Sequence, residues 1–201
     1  MSHCYKETKQ LGRYNIIGFL ALLWAAVACE RPVPPVSDGE KAAYNLTGYL
    51  QQQAQRLQAE KPMVLKSVKT QNKPTETIET SDVDWEKELS IFQEVDLSRP
   101  ALRDFYQEQQ QTLPNGSTIT VFLKSEDAAA PVEQLVLTVS PFQKLEHLEA
   151  VVLEENILFY SKRKITLTAE SGTGNVSGYR VEGVQKLIFG DSLHYRIDAN
   201  L

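Results

Sequence analysis

Two periodicities divide this chain. Ala43, Leu46, Leu50 and Leu57 recur at helical spacing, with Tyr49 and Ala54 beside the stripe and Gln51, Gln52, Gln55, Arg56 and Gln58 opposite. This predicts an amphipathic helix over 40–60. Ser37 and Glu40 form a capping box before it, and Pro62 stops it. A strand is expected over 63–70, a turn at Gln71-Asn72-Lys73-Pro74, and a short partner strand over 75–80. Helical spacing then returns in Trp85, Leu89 and Phe92. Ser81 or Asp82 is the expected cap, and Asp82, Asp84 and Glu86 suit the positive end of the helix dipole. Ser98-Arg99-Pro100 opens a further short helix whose Leu102, Phe105 and Tyr106 should face inward.

From Gln107 the period falls to two. Asn115-Gly116 marks a hairpin, and Ile119, Val121 and Leu123 alternate with Thr118, Thr120 and Phe122. Leu135, Leu137 and Val139 share one face of the next strand. Further strands are expected over 145–153, 157–169, 176–189 and from Leu193 to the last residues. Their joins are short turns, such as Ser171-Gly172-Thr173-Gly174-Asn175. Parallel pairing needs a crossover of about a dozen residues or more at each step, so these strands should form an antiparallel meander. The predicted class is α+β: a large curved antiparallel sheet, an N-terminal amphipathic helix and an inserted helical segment. Lys162, Lys164, Thr166 and Thr168 make one strand face polar. Ile157-Leu158-Phe159-Tyr160, Leu187-Ile188-Phe189 and Ala150-Val151-Val152-Leu153 are apolar on both faces, which predicts that the sheet is covered on both sides there.

The front of the chain has a different character. Tyr14 to Cys29 carries no charge, follows Lys6, Lys9 and Arg13, and closes on small residues. A basic start, a short apolar core and a small-residue cut site are the layout of a secretory signal. Ala26-Val27-Ala28-Cys29 resembles the lipobox of bacterial lipoproteins, although Ala26 stands where that family usually has Leu. The resemblance implies cleavage before Cys29 and acylation of its thiol and new amine. It implies residues 1–28 as signal peptide and 29–36 as lipidated Cys29 with the Pro-rich tether Arg31-Pro32-Val33-Pro34-Pro35. A single α+β domain follows over 37–201. Two or more acyl chains give stable anchoring, where one gives marginal binding. Glu30, in place of the Asp that retains such proteins at the inner membrane, implies an outer-membrane anchor, and a periplasm-facing domain is expected.

Charge and chemistry narrow the function. The formal charge of −5 becomes two units more negative when Lys6, Lys9, Arg13 and Glu7 leave with the signal. That balance argues against a nucleic-acid partner, whose phosphates reward Lys and Arg. No cofactor motif is present. His147 and His194 lack metal-ligand spacing, and Ser140 and Ser161 lack a nucleophile-elbow pattern. Asp82, Asp84 and Glu86 lack the Gly and distal Glu of a calcium loop. Gly172, Gly174 and Gly178 precede a strand, where a phosphate loop needs a helix. Lys162-Arg163-Lys164 reads as a solvated strip. No catalytic constellation is visible, and a hydrolase is the weakest reading.

A helix followed by a curved antiparallel sheet is similar in architecture to the lipoprotein carrier and receptor proteins of the Lol type. That resemblance implies a non-catalytic envelope protein whose sheet binds an apolar ligand or lipid. The alternative is a structural or assembly subunit of an envelope protein complex, met through Tyr44, Tyr49 and the Gln-rich helix side or through an open sheet edge. Cys29→Ser is expected to move the protein from the membrane to the soluble fraction and to abolish its acyl mass, as fractionation and intact-mass spectrometry would measure.

Overall fold

A computed structural model describes residues 44–201. Helix α1 (Leu46–Glu60) leads into strands β1 (Val64–Thr70) and β2 (Glu76–Thr80). Helix α2 (Trp85–Gln93) and a 3-10 helix (Pro100–Phe105) follow. Strands β3 (Tyr106–Thr112), β4 (Thr118–Lys124), β5 (Val132–Val139), β6 (Leu145–Glu155), β7 (Phe159–Ala169), β8 (Val176–Leu187) and β9 (Leu193–Asn200) complete the order. The α+β class and the large antiparallel sheet match expectation. Cys29, the tether, and the Ser37 and Glu40 capping box lie outside the described residues.

The nine strands form one sheet in the order β2-β1-β9-β8-β7-β6-β5-β4-β3, and every neighbouring pair is antiparallel. Strands β3 to β9 run as a meander. The last strand then meets β1, so the early hairpin extends the sheet from its far side. Among the described residues, strands β2 and β3 form the two edges of the sheet. The β3–β4 turn shows why Asn115-Gly116 is informative. Gly116 adopts φ 84° while its N–H donates to the Leu113 carbonyl at 2.9 Å, a left-handed position that suits glycine.

The helices obey the same local rules. Asn45 caps α1 by accepting from the Gly48 N–H at 2.9 Å. Lys61 ends the helix in a left-handed conformation, its N–H returning to the Leu57 carbonyl at 2.9 Å. Pro62 forbids continuation. Helix α2 is capped by Asp84, whose carboxylate accepts from the Lys87 N–H at 3.1 Å. This corrects the cap expected at Ser81 or Asp82. The Asp82 N–H instead donates to Thr80 Oγ1, and Val83 is buried, so the chain must pass through the core before it can coil.

Register fixes which sheet face is covered. Leu148 and Ala150 of β6 lie opposite Leu167 and Ile165 of β7 and opposite Leu137 and Leu135 of β5, and all six are buried. Val181 and Tyr179 of β8 and Ala199 of β9 continue that face. Helix α2 presses Trp85, Leu89 and Phe92 onto it, and the Phe92 ring meets Tyr179 edge-on at 6.0 Å. Glu88 joins Lys66 of β1 at 2.6 Å and accepts from the Tyr179 hydroxyl of β8, so one carboxylate clamps the helix to two non-adjacent strands. Helix α1 reaches the β7–β8 turn. Its Tyr49 hydroxyl donates to the Gly174 carbonyl at 2.9 Å, and buried Gln53 accepts from the Val176 N–H at 3.0 Å. Burial pushes the Tyr49 hydroxyl pKa up.

Two expectations fail here. Ile157, Leu158, Leu187, Ile188 and Phe189 are exposed, not covered on both sides. Strands β6 and β8 end at Glu155 and Leu187, so Leu187 closes its strand and the other four lie in the turns that follow, where no described helix covers them. In the third such run, Ala150 and Val152 are buried while Val151 and Leu153 are half-buried on the opposite face. Phe105 does not face inward either. It is 39 % exposed, while Leu102 and Tyr106 pack on the core; Phe105 ends the 3-10 helix and Tyr106 opens β3, where successive side chains take opposite sides.

The two helices are tied at one end by Asp96. It accepts from Thr47 Oγ1 at 2.6 Å and from the Ser98 N–H at 3.0 Å. Burial pushes this carboxyl up, but the hydrogen bonds outweigh burial and hold it below its ordinary value of 3.8. The stabilisation is therefore complete above the unfolded pKa and is lost as pH falls through the folded one. Asp96→Asn is expected to cost about 1.5–3 kcal/mol at neutral pH. In urea denaturation the gap to the parent chain should close in acid, and a gap unchanged there would exclude the charge as its source.

Candidate functional site

The residues singled out for chemistry do not converge. Among the described residues, no group of His, Cys, Asp and Glu is placed to hold a metal ion. His147 lies on β6 opposite Thr168, and His194 lies on β9 opposite Val184. The Ser140 hydroxyl accepts from the Lys144 N–H across the β5–β6 turn, and Ser161 is a buried strand residue. Asp84 is engaged as a helix cap. Gly172 and Gly174 adopt φ 96° and 73° in the β7–β8 turn, as a hairpin requires. The basic run is not a free strip. Alternation sends Arg163 to the helix side, where it meets Glu94 at 2.7 Å, and Lys164 to the other, where it meets Glu149 at 2.9 Å.

The face opposite the helices is a lattice of charges. Asp198 accepts from Arg180 and Arg196 at 2.6 and 2.7 Å, and the Arg196 hydrogen bond holds its carboxyl below the ordinary range. A shallow groove of about 430 Å³ crosses this face, bordered by Lys162, Glu182, Val184, His194 and Arg196. A second hollow, of about 820 Å³, runs between α1 and α2 and is lined by Gln51, Gln55, Gln58, Asp82 and Glu86. Both are open, and neither gathers an acid, a base and a nucleophile.

A third feature has no structural work to do. The β6–β7 and β8–β9 turns lie side by side, since Phe159 pairs with Leu187 and the Ile188 N–H donates to the Leu158 carbonyl at 3.0 Å. Leu193 stands opposite Gln185 on the next strand. Together these turns present Ile157 at 88 %, Phe189 at 95 %, and also Leu158, Leu187, Ile188 and Leu193 to solvent. Isolated exposed apolar residues are ordinary, but a contiguous group is a mark of an interaction surface. The turns themselves are firmly built: Asn156 receives the Leu158 N–H on its side chain at 2.9 Å.

No family model matches this chain, and neither the curated proteins nor the solved structures contain a match to it.

The lipidation candidate Cys29 lies outside the described residues. Two important positions escape sequence reasoning. Gln53 occupies a stripe position between Leu50 and Leu57, and its spacing was the signal for burial, but its polarity hid it. The apolar tip was visible as Leu187-Ile188-Phe189 and Ile157-Leu158, yet such runs are also what a doubly covered strand contains. Because no described residue covers Ile157 or Phe189, Ile157→Asp and Phe189→Asp should each change stability by no more than about 0.5 kcal/mol in urea denaturation.

Proposed function

We propose that this chain is a membrane-anchored envelope lipoprotein, held by lipid on Cys29, that performs no catalysis and binds an apolar ligand or lipid at the tip of its sheet. The observation that carries this reading is the contiguous exposure of Leu158, Leu187, Ile188, Phe189 and Leu193 on two firmly built turns. The layer between helices and sheet is filled by side chains such as Leu89, Phe92, Leu148 and Ile165, so the ligand is assigned to the tip and not to the interior. Fully burying one such side chain contributes about 1.5–3 kcal/mol, and a few suffice for micromolar binding. The acidic balance of the chain and the ion pairs that occupy its open face agree with an apolar partner in place of nucleic acid. A second reading, an assembly subunit of an envelope complex, is supported by the unpaired outer edge of β3.

The Cys29→Ala chain separates the tip from the anchor. Purified without detergent, it should carry acyl-chain molecules detectable by mass spectrometry of an organic extract. Leu187→Asp combined with Phe189→Asp should reduce that load at least tenfold. A parent chain free of such molecules, or a load indifferent to the substitutions, would overturn ligand binding at the tip.

A further inference from the structure

Strand β3 reads Tyr106-Gln107-Glu108-Gln109-Gln110-Gln111-Thr112 and forms one edge of the sheet. Residues Gln107 to Thr112 are exposed on both faces. Open edges are normally guarded by lysine, proline, a bulge or shortness. The opposite edge follows that rule: β2 has five residues, carries Glu76 and Glu79, and follows Lys73-Pro74. Strand β3 carries a single charge, Glu108, and none of the other guards. It is seven residues long, contains no Lys, Arg or Pro, and keeps an unbroken register with β4.

The hydrogen bonds show what this edge offers. The Leu113 N–H donates to the Ser117 carbonyl at 2.8 Å and the Ser125 N–H donates to the Phe105 carbonyl at 2.9 Å. Both pairs keep the β3–β4 register, so the odd-numbered residues between them face β4 with their main-chain groups. The even-numbered Tyr106, Glu108, Gln110 and Thr112 therefore turn their N–H and C=O groups outward, where no described strand meets them.

We propose that β3 pairs with β3 of a second copy of this chain, antiparallel about a two-fold axis through Gln109. That register sets Tyr106 against Thr112 of the partner copy and Glu108 against its Gln110. All the outward residues then exchange bonds, giving about eight main-chain hydrogen bonds. Moving the axis by one residue loses bonded pairs, and the move to Glu108 places like carboxylates face to face. In the favoured register the side chains crossing the axis are Gln109 against Gln109 and Gln107 against Gln111. An amide both donates and accepts, so each can complete its own copy. The surface is isologous, as a two-fold contact demands. The two sheets become one continuous sheet with both helix layers on the same side. A contact of one strand per copy buries less than the roughly 1,600 Å² of a standard interface, so the dimer is weak and dissociates on dilution. This pairing involves no residue of the apolar tip and stands or falls separately from it.

Disulfide trapping in the full chain tests it. At the axis Gln109 faces its own copy in a non-hydrogen-bonded pair about 4.5 Å apart at Cα, within disulfide range. Gln109→Cys should therefore give a dimer joined at residue 109, mapped by peptide mass spectrometry. Gln107→Cys and Gln111→Cys alone should not trap, because each sits about four residues from its own copy. No described residue accepts the Gln110 N–H, so Gln110→Pro should leave the melting curve in place and lower trapping at 109 at least tenfold. Gln110→Glu alters no backbone group, sets carboxylates opposite Glu108 of the partner copy, and should lower trapping as well. Equal trapping at 107, 109 and 111, absence of trapping at 109, or trapping unmoved by Gln110→Glu would overturn the proposal. Trapping of β3 to a different protein in place of its own copy would overturn it too.

Discussion

A sheet that does not close into a barrel must hide one face by other means, and here that duty falls on α1 and, most directly, on α2. Its nine residues bring Trp85, Leu89 and Phe92 against strands drawn from both arms of the sheet. Glu88 adds a polar lock on that apolar contact by engaging β1 and β8 together. Strand β9 lies between those two, so the helix spans the seam where the early hairpin joins the meander. Apolar area supplies most of the driving force. The lock supplies direction, because area alone would let a short helix slide.

This arrangement explains how the other features divide between the two sides. With one face given over to packing, the opposite face is free to carry paired charges such as Arg180 and Asp198. Surface pairs of this kind contribute little to stability, typically below about 1 kcal/mol. Their effect is to hold opposite charges together across that face, as Lys164 with Glu149 and Arg180 with Asp198 do. The largest exposed apolar side chains, Ile157 and Phe189, sit at the turns, and exposed polar side chains line the β3 edge. That placement makes them candidates for contacts outside the chain.

Much of the fold was legible because its signals are local. The stripe Leu46, Leu50, Leu57, the Pro62 stop, the Asn115-Gly116 turn and the alternation Leu135, Leu137, Val139 each report a geometry set within a few residues. What could not be read depends on distant partners. Whether Leu187-Ile188-Phe189 is covered depends on where other elements stop, and pairing of β1 with β9 joins segments over a hundred residues apart. The α2 cap moved from Ser81 or Asp82 to Asp84 because burial of Val83 outranked local preference. Asp96, which ties Thr47 to the end of α2, gave no pattern at all, since a lone carboxylate near a helix end is common. Nothing in the described residues bears on the lipid-anchor reading of Cys29, which rests on the signal-like front of the chain.

The β1–β9 seam also sets a timetable. A chain that emerges from a ribosome or a translocation channel front end first presents α1, β1 and β2 long before β9 exists to receive them. Until then the β1–β2 hairpin has one unpaired side, while α1 waits only for the earlier β7–β8 turn. The meander can zip from neighbour to neighbour, but the final loop closure must wait for the last strand, and such distant closure is slow. Any holding factor in the compartment would therefore find its client among α1, β1 and β2, and loss of the closing strand would maroon two elements that are themselves intact.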